Sequence, residues 1–143
     1  MSQGIDQFRE NLREKFTNIE KDLRDLIAKI DEKAQNAEQE VRSHGEKLLH
    51  RMWQDRAKVA AAQAEMNEWV EARKIATSAE IAEWKAKRET SRLQMRADQA
   101  ERYEVAAMTV ALAAIDEAEH AALEAWLARQ DAVAAQAKIR DQS

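Results

Sequence analysis

The residues best suited to chemistry form one short motif in the last third of the chain. Glu117 and His120 have the Glu-x-x-His spacing, and Glu124 lies seven residues after Glu117. This spacing places carboxylates and an imidazole on one face of an α-helix. Carboxylate-bridged metal bundles use the motif twice, together with two further glutamates. Because it occurs once here, a complete site needs a second copy of the chain. We favour a solvated acidic face and keep a metal-binding bundle as an alternative.

The rest of the sequence offers no second set of catalytic residues. It contains no cysteine, which excludes disulfides, thiolate metal sites and cysteine nucleophiles. It also lacks a glycine-rich phosphate loop, a nucleophile elbow and a His-Glu-x-x-His pair. We therefore predict that the protein is not an enzyme and has no catalytic residues, no cofactor and no resident metal.

Charge and hydropathy limit the classes of partner. The chain has 23 Lys and Arg against 27 Asp and Glu, which gives a formal net charge of -4. Nucleic-acid-binding proteins present a basic surface, so we expect no nucleic-acid partner. No apolar run approaches the roughly 18 to 20 residues that span a bilayer, and the first residues lack the order of an export signal. We expect a cytoplasmic protein, and the absence of cysteine fits a reducing compartment.

Tryptophan is the second unusual feature of the composition. Three of the four tryptophans have a basic residue about one helical turn later: Trp53 with Arg56, Trp69 with Arg73, and Trp84 with Arg88. We favour the interpretation that these rings fill gaps opposite alanines on another helix. The alternative is an amphipathic coat on a lipid or storage-granule surface, in which indole and cation flank a headgroup.

These residues must be positioned by long helices. The sequence has no proline, two glycines, 35% charged residues and 45% hydrophobic residues, a composition typical of long helices and coiled coils. The first apolar residues recur every three or four positions, which predicts an amphipathic helix over about residues 5–42. This line consists of Ile5, Phe8, Leu12, Phe16, Ile19, Leu23, Leu26, Ile30, Ala34, Ala37 and Val41.

Helix boundaries are signalled weakly. Gly45 weakens a helix interior, and Ser43 with Glu46 has capping-box spacing, so we predict a turn at 43–45. One very long helix over about 46–140 would complete a coiled-coil-like, oligomeric hairpin of antiparallel helices in a single domain, 1–143. Capping-box spacings also begin at Thr77 and Ser91. A second break near Thr90-Ser91 gives the alternative, a three-helix bundle.

The strongest pattern is a line of alanines, which we call the alanine seam. Its spacing alternates between four and three residues, so it lies along one face of a helix, and its small side chains allow a second helix to approach closely. We predict that this seam mediates self-association, with another protein as the alternative partner, in a structural or protein-interaction module. The seam consists of Ala107, Ala111, Ala114, Ala118, Ala121, Ala125, Ala128, Ala132 and Ala135.

Overall fold

A computed structural model describes residues 3–75 and 77–142, and these residues form four α-helices joined by short connections. No strand occurs in this described part of the chain, so the predicted all-α class with long packed helices is confirmed. The helices are α1 (Gln3–Asp31), α2 (Ala37–Ile75), α3 (Ser78–Ala86) and α4 (Thr90–Gln142).

Helix α1 ends without a glycine. Lys33 has a φ of 54°, in the left-handed region, and its N–H donates to the carbonyl of Ile30 at 3.0 Å. The N–H of Ala34 donates to the carbonyl of Lys29 at 3.1 Å. These two bonds form a Schellman motif, which satisfies carbonyls that a helix end otherwise leaves without partners. The chain enters α2 at Ala37, so the connection spans residues 32–36.

The predicted turn at 43–45 is wrong, because α2 runs through these residues. Gly45 is buried, and a Cβ placed on it would lie 3.9 Å from Cδ1 of Leu123 on α4. A glycine in a helix interior costs about 1 kcal/mol relative to alanine, and packing along a 39-residue helix outweighs that cost. The first helix therefore ends near residue 31 and not near residue 42.

The predicted very long second helix is also interrupted. The hydroxyl oxygen of Thr77 accepts a hydrogen bond from the N–H of Glu80 at 3.2 Å, so this capping-box spacing marks the start of α3. Helix α3 has only nine residues. A Thr side chain that satisfies an otherwise free N–H gives the chain a stable point at which to begin a new helix.

Helix α3 ends in the same way as α1. Arg88 has a φ of 54°, and the N–H of Glu89 donates to the carbonyl of Trp84 at 2.9 Å. Helix α4 then begins at Thr90, which agrees with the alternative break near Thr90-Ser91. Basic residues occupy the left-handed position at both helix ends. Left-handed backbone is uncommon for residues other than glycine. Because neither position holds a glycine, the sequence does not indicate that a helix ends at Lys33 or Arg88.

The chain divides into two units, each of which has its own internal packing. The three-helix unit comprises Glu10–Gln54 and Ala114–Ser143, and the α3 unit comprises Met1–Arg9 and Asp55–Ala113. In the three-helix unit, α2 runs antiparallel to both α1 and α4. Its contacts with α4 proceed in reverse order, from Arg51 with Asp116 to His44 with Glu119.

Two aromatic contacts connect the helices of the α3 unit. The rings of Trp69 on α2 and Tyr103 on α4 stack with centroids 5.3 Å apart and planes 17° apart. The guanidinium of Arg92 on α4 lies 5.7 Å from the centroid of the Trp84 ring on α3. Offset stacking and cation–π contacts of this kind each contribute about 0.5 to 1.5 kcal/mol.

Candidate functional site

Helix α4 has two different faces in the three-helix unit, and its inward face carries the core. Leu123 and Leu127 are buried against Leu26 of α1 and Val41 of α2, and Trp126 packs at the edge of this cluster. Buried leucine side chains each contribute about 1.5 to 3 kcal/mol relative to exposure. The inward face therefore joins α4 to both other helices of the unit.

Toward the N-terminus of α4, charged side chains occupy this inward face for about one helical turn. Asp116 is buried and forms ion pairs with Lys15 of α1 and with Arg51 of α2, the latter at 3.2 Å. A single carboxylate therefore binds two other helices. Because carboxylate and cations are aligned only at one register of the three helices, this contact favours one longitudinal arrangement.

A second buried carboxylate lies one turn further along α4. The Glu119 side chain is 4% exposed, and its Oε2 lies 2.9 Å from Nε2 of His44 on α2. We call these five residues, Lys15, His44, Arg51, Asp116 and Glu119, the buried polar cluster after its two buried carboxylates; Lys15 and His44 are half-buried and Arg51 is exposed. Throughout the described residues, every buried side-chain nitrogen and oxygen has a hydrogen-bond partner. The cluster therefore meets the main condition for keeping charge inside a helical bundle.

Sequence reasoning missed the buried polar cluster. Asp116 and Glu119 belong to an acidic stretch that is typical of a solvated helix face. A signal was nevertheless present, since Asp116, Glu119, Leu123 and Leu127 follow one another at helical spacing. Two carboxylates in phase with the leucines that form the core indicate a buried polar layer, provided that cations on other helices face them.

The outward face of α4 carries the alanine seam. Eight of its nine residues, from Ala111 to Ala135, are exposed, and Ala107 is half-buried. The seam therefore lies on the side of the helix away from Leu123 and Leu127. From Ala114 to Ala128 the seam is an exposed strip of small side chains on a helix whose opposite side is packed, whereas Ala132 and Ala135 lie where every side of the helix is exposed. The helix contact that the spacing predicts across this strip stays a prediction.

The last turns of α4 extend beyond the packed part of the helix. Every residue in 131–142 is exposed, including Val133 at 54% and Ile139 at 66%. We call this segment the overhang. Ile139 lies four residues after Ala135 and thus continues the seam. The same spacing therefore extends the predicted seam to an exposed apolar side chain.

The Glu-x-x-His motif does not come together as a set of ligands. His120 Nε2 lies 3.7 Å from Oε1 of Glu124, whereas Glu117 is exposed. The neighbouring Glu119 turns inward to His44. Among residues 3–75 and 77–142, no group of three or more His, Asp or Glu side chains is placed to hold a metal ion.

The tryptophans have different environments. Trp69 and Trp126 are half-buried: the Trp69 ring stacks on that of Tyr103, and Trp126 packs at the edge of the core of the three-helix unit. The predicted filling of gaps opposite alanines stays a prediction. Trp84 contacts Arg92 and not the predicted Arg88, because Arg88 lies in the connection after α3. The predicted pair of Trp69 with Arg73 lies outside the described side chains. Trp53 is 63% exposed on α2.

Comparison with known proteins adds no assignment to this geometry. No protein-family model, no curated protein and no solved structure matches the chain. A search of the described helices for a membrane span found none that is both long enough and apolar enough. The two-faced helix α4 is therefore the feature on which a functional proposal must rest.

Proposed function

We propose that this protein is a non-enzymatic helical module that self-associates through the outward face of α4 and serves as a structural or protein-interaction element. This proposal is based mainly on the two faces of α4. One side packs against other helices of the same chain, whereas the alanine seam on the other side is exposed. The proposal includes a cytoplasmic location, since a chain without cysteine suits a reducing compartment.

The small side chains of the seam support a helix–helix contact in particular. Alanine keeps two helix backbones close together, so van der Waals contacts and the flanking side chains both engage along the whole strip. The seven-residue repeat of Ala118, Ala125 and Ala132 leads on to Ile139. A strict repeat of seven favours a left-handed supercoil with a second helix.

The overhang supports the same proposal. Isolated helices shorter than about 12 to 15 residues are marginal in water, so a helix end in which every residue is exposed gains little stability from packing. All residues in 131–142 are exposed, and Val133 and Ile139 present large apolar side chains. A second copy packed along the seam would cover Ile139 and stabilise these turns.

The test is the mass of the protein in solution when the seam is overpacked. Sedimentation equilibrium of the full chain is expected to show a concentration-dependent dimer or higher oligomer. Replacing Ala118 and Ala125 with leucine forces the helices apart, at a cost of about 1 to 3 kcal/mol per site. The dissociation constant is expected to rise by at least tenfold.

A matched control uses the same kind of change on the same helix. Ala134→Leu with Ala137→Leu alters two exposed alanines that lie off the seam. This control is expected to leave the dissociation constant within about twofold of the original value, as surface substitutions usually do. A protein that is monomeric at all concentrations, or one that both double variants affect equally, would overturn the proposal.

A further inference from the structure

The charges beside the seam differ between its two edges. In the seven-residue notation, position a holds Ala118, Ala125 and Ala132, and position d holds Ala114, Ala121, Ala128 and Ala135. The edge at position g carries three carboxylates followed by one cation, namely Glu117, Glu124, Asp131 and Lys138. The edge at position e carries one cation among uncharged residues, namely Ile115, Ala122, Arg129 and Gln136. All five charged side chains are exposed.

These edges make the two possible orientations of a helix pair unequal. In an antiparallel pair the g edge faces the g edge of the other helix. Even where Lys138 then meets Glu117, the same alignment sets Glu124 against Asp131 twice, so repulsion offsets the attraction. In a parallel pair each g edge faces the e edge of the other helix, where Arg129 is the only charged residue. The parallel pair therefore contains attraction without repulsion along these edges.

Register follows from the same comparison. In a parallel pair without stagger, a residue at g faces the residue five positions later on the other helix. Glu124 then faces Arg129 of the second copy, and the symmetry produces this pair twice. Ile139 faces Ile139 of the second copy at the end of the overhang, so the largest seam side chains are buried together.

We propose that the partner on the outward face of α4 is a second copy of this chain, bound parallel and in register over residues 114–142. This inference rests on the proposed function, and it adds the direction and register of the paired helices and the contact between Glu124 and Arg129. The flanking charges determine the orientation, and the overhang with Ile139 determines where the pairing continues.

Single engineered thiols provide the test, because the natural chain contains no cysteine. Ala121→Cys and Ala132→Cys place thiols on the seam 11 residues apart, or about 17 Å along the helix. The antiparallel alignment that brings Lys138 to Glu117 would set these two positions opposite each other. In a parallel in-register pair each thiol faces its own copy. Both variants are therefore expected to form disulfide-linked dimers rapidly under mild oxidation, and an equimolar mixture is expected to give negligible linkage between the two kinds of thiol.

Ala137→Cys serves as the control, since position 137 is exposed on the same helix but lies off the seam. It is expected to cross-link at least tenfold more slowly. Linkage in the mixture mainly between one Ala121→Cys chain and one Ala132→Cys chain would show an antiparallel pair and overturn the inference while leaving self-association intact. A monomer in sedimentation equilibrium with no cross-linking at either seam site would overturn both proposals.

Discussion

Asp116 forms ion pairs with both other helices of the three-helix unit. Its carboxylate pairs with Lys15 on α1 and Arg51 on α2 while belonging to α4 itself. Asp116 is 10% exposed and Lys15 is 19% exposed at the side chain, so water screens this pair only in part. Its contribution should lie between that of an exposed pair, below about 1 kcal/mol, and that of a fully buried one.

Replacing Asp116 with alanine is expected to lower the free energy of unfolding by about 2 kcal/mol, because Lys15 then keeps a partly buried charge without its carboxylate. Urea unfolding at a fixed protein concentration, followed by circular dichroism, measures the change. Asp22→Ala is the control, since Asp22 is exposed on α1. Its effect should stay within about 0.5 kcal/mol. Equal effects of the two variants would show that the buried polar cluster does not stabilise the unit.

At the scale of the element, α2 shows how packing overrides a local helix signal. Gly45 is buried against α4, yet its backbone is helical and its φ is not positive. Nothing in the conformation therefore requires glycine. The space beside it accepts a methyl group, because the nearest atom to an added Cβ is Cδ1 of Leu123 at 3.9 Å.

Gly45→Ala is accordingly expected to stabilise the protein by about 0.5 to 1 kcal/mol, through the smaller entropy that alanine loses when a helix forms. Thermal unfolding at a fixed concentration measures it as a rise in Tm of a few degrees. The contrasting variant is Lys47→Gly, which introduces the opposite change at an exposed position of the same helix and should lower Tm. A loss of stability in Gly45→Ala would indicate that residue 45 does not lie in a helix interior, as the predicted turn at 43–45 implies.

The helical class of the chain can be predicted from the sequence, whereas the boundary between α1 and α2 and the end of α3 cannot. Apolar spacing predicts a first helix because a helix must bury one face, although α1 ends at Asp31 and not near residue 42. Capping-box spacing occurs at Ser43 and at Thr77, and of these two only Thr77 begins a helix. The ends at Lys33 and Arg88 escape prediction since both residues take a left-handed backbone that usually marks glycine. We attribute the positions of these two helix ends to tertiary packing, which the spacing of residues in the sequence does not record.

The same reasoning explains what can be predicted of the candidate site. The seam is evident in the sequence because α4 is one continuous helix from Thr90 to Gln142, so spacing alone determines its face. The buried polar cluster is not evident in the sequence. Asp116 and Glu119 pair with a cation and an imidazole on α2, and these partners are more than 60 residues away in sequence. Pairing between distant elements sets the chemistry of that face.

At the scale of the whole molecule, we expect the core to stabilise the fold of one chain and the seam to stabilise the association of two chains. Residues 131–142 are exposed throughout, whereas Leu123 and Leu127 complete the core before the overhang begins. Folding of the three-helix unit and association of two chains should therefore respond differently to loss of the overhang. Truncation is the change that distinguishes them.

A chain that ends after Gln130 is expected to keep its fold and to lose much of its self-association. It loses Ala132, Ala135 and Ile139 from the seam, and burial of one isoleucine alone is worth about 1.5 to 3 kcal/mol. Since about 1.4 kcal/mol corresponds to a factor of ten, the dissociation constant should rise by at least tenfold in sedimentation equilibrium. Under dilute, monomeric conditions the Tm of the truncated and full chains should agree within a few degrees. A truncated chain that unfolds under those conditions would show that the overhang supports the fold, and one that associates as tightly as the full chain would place the interface elsewhere.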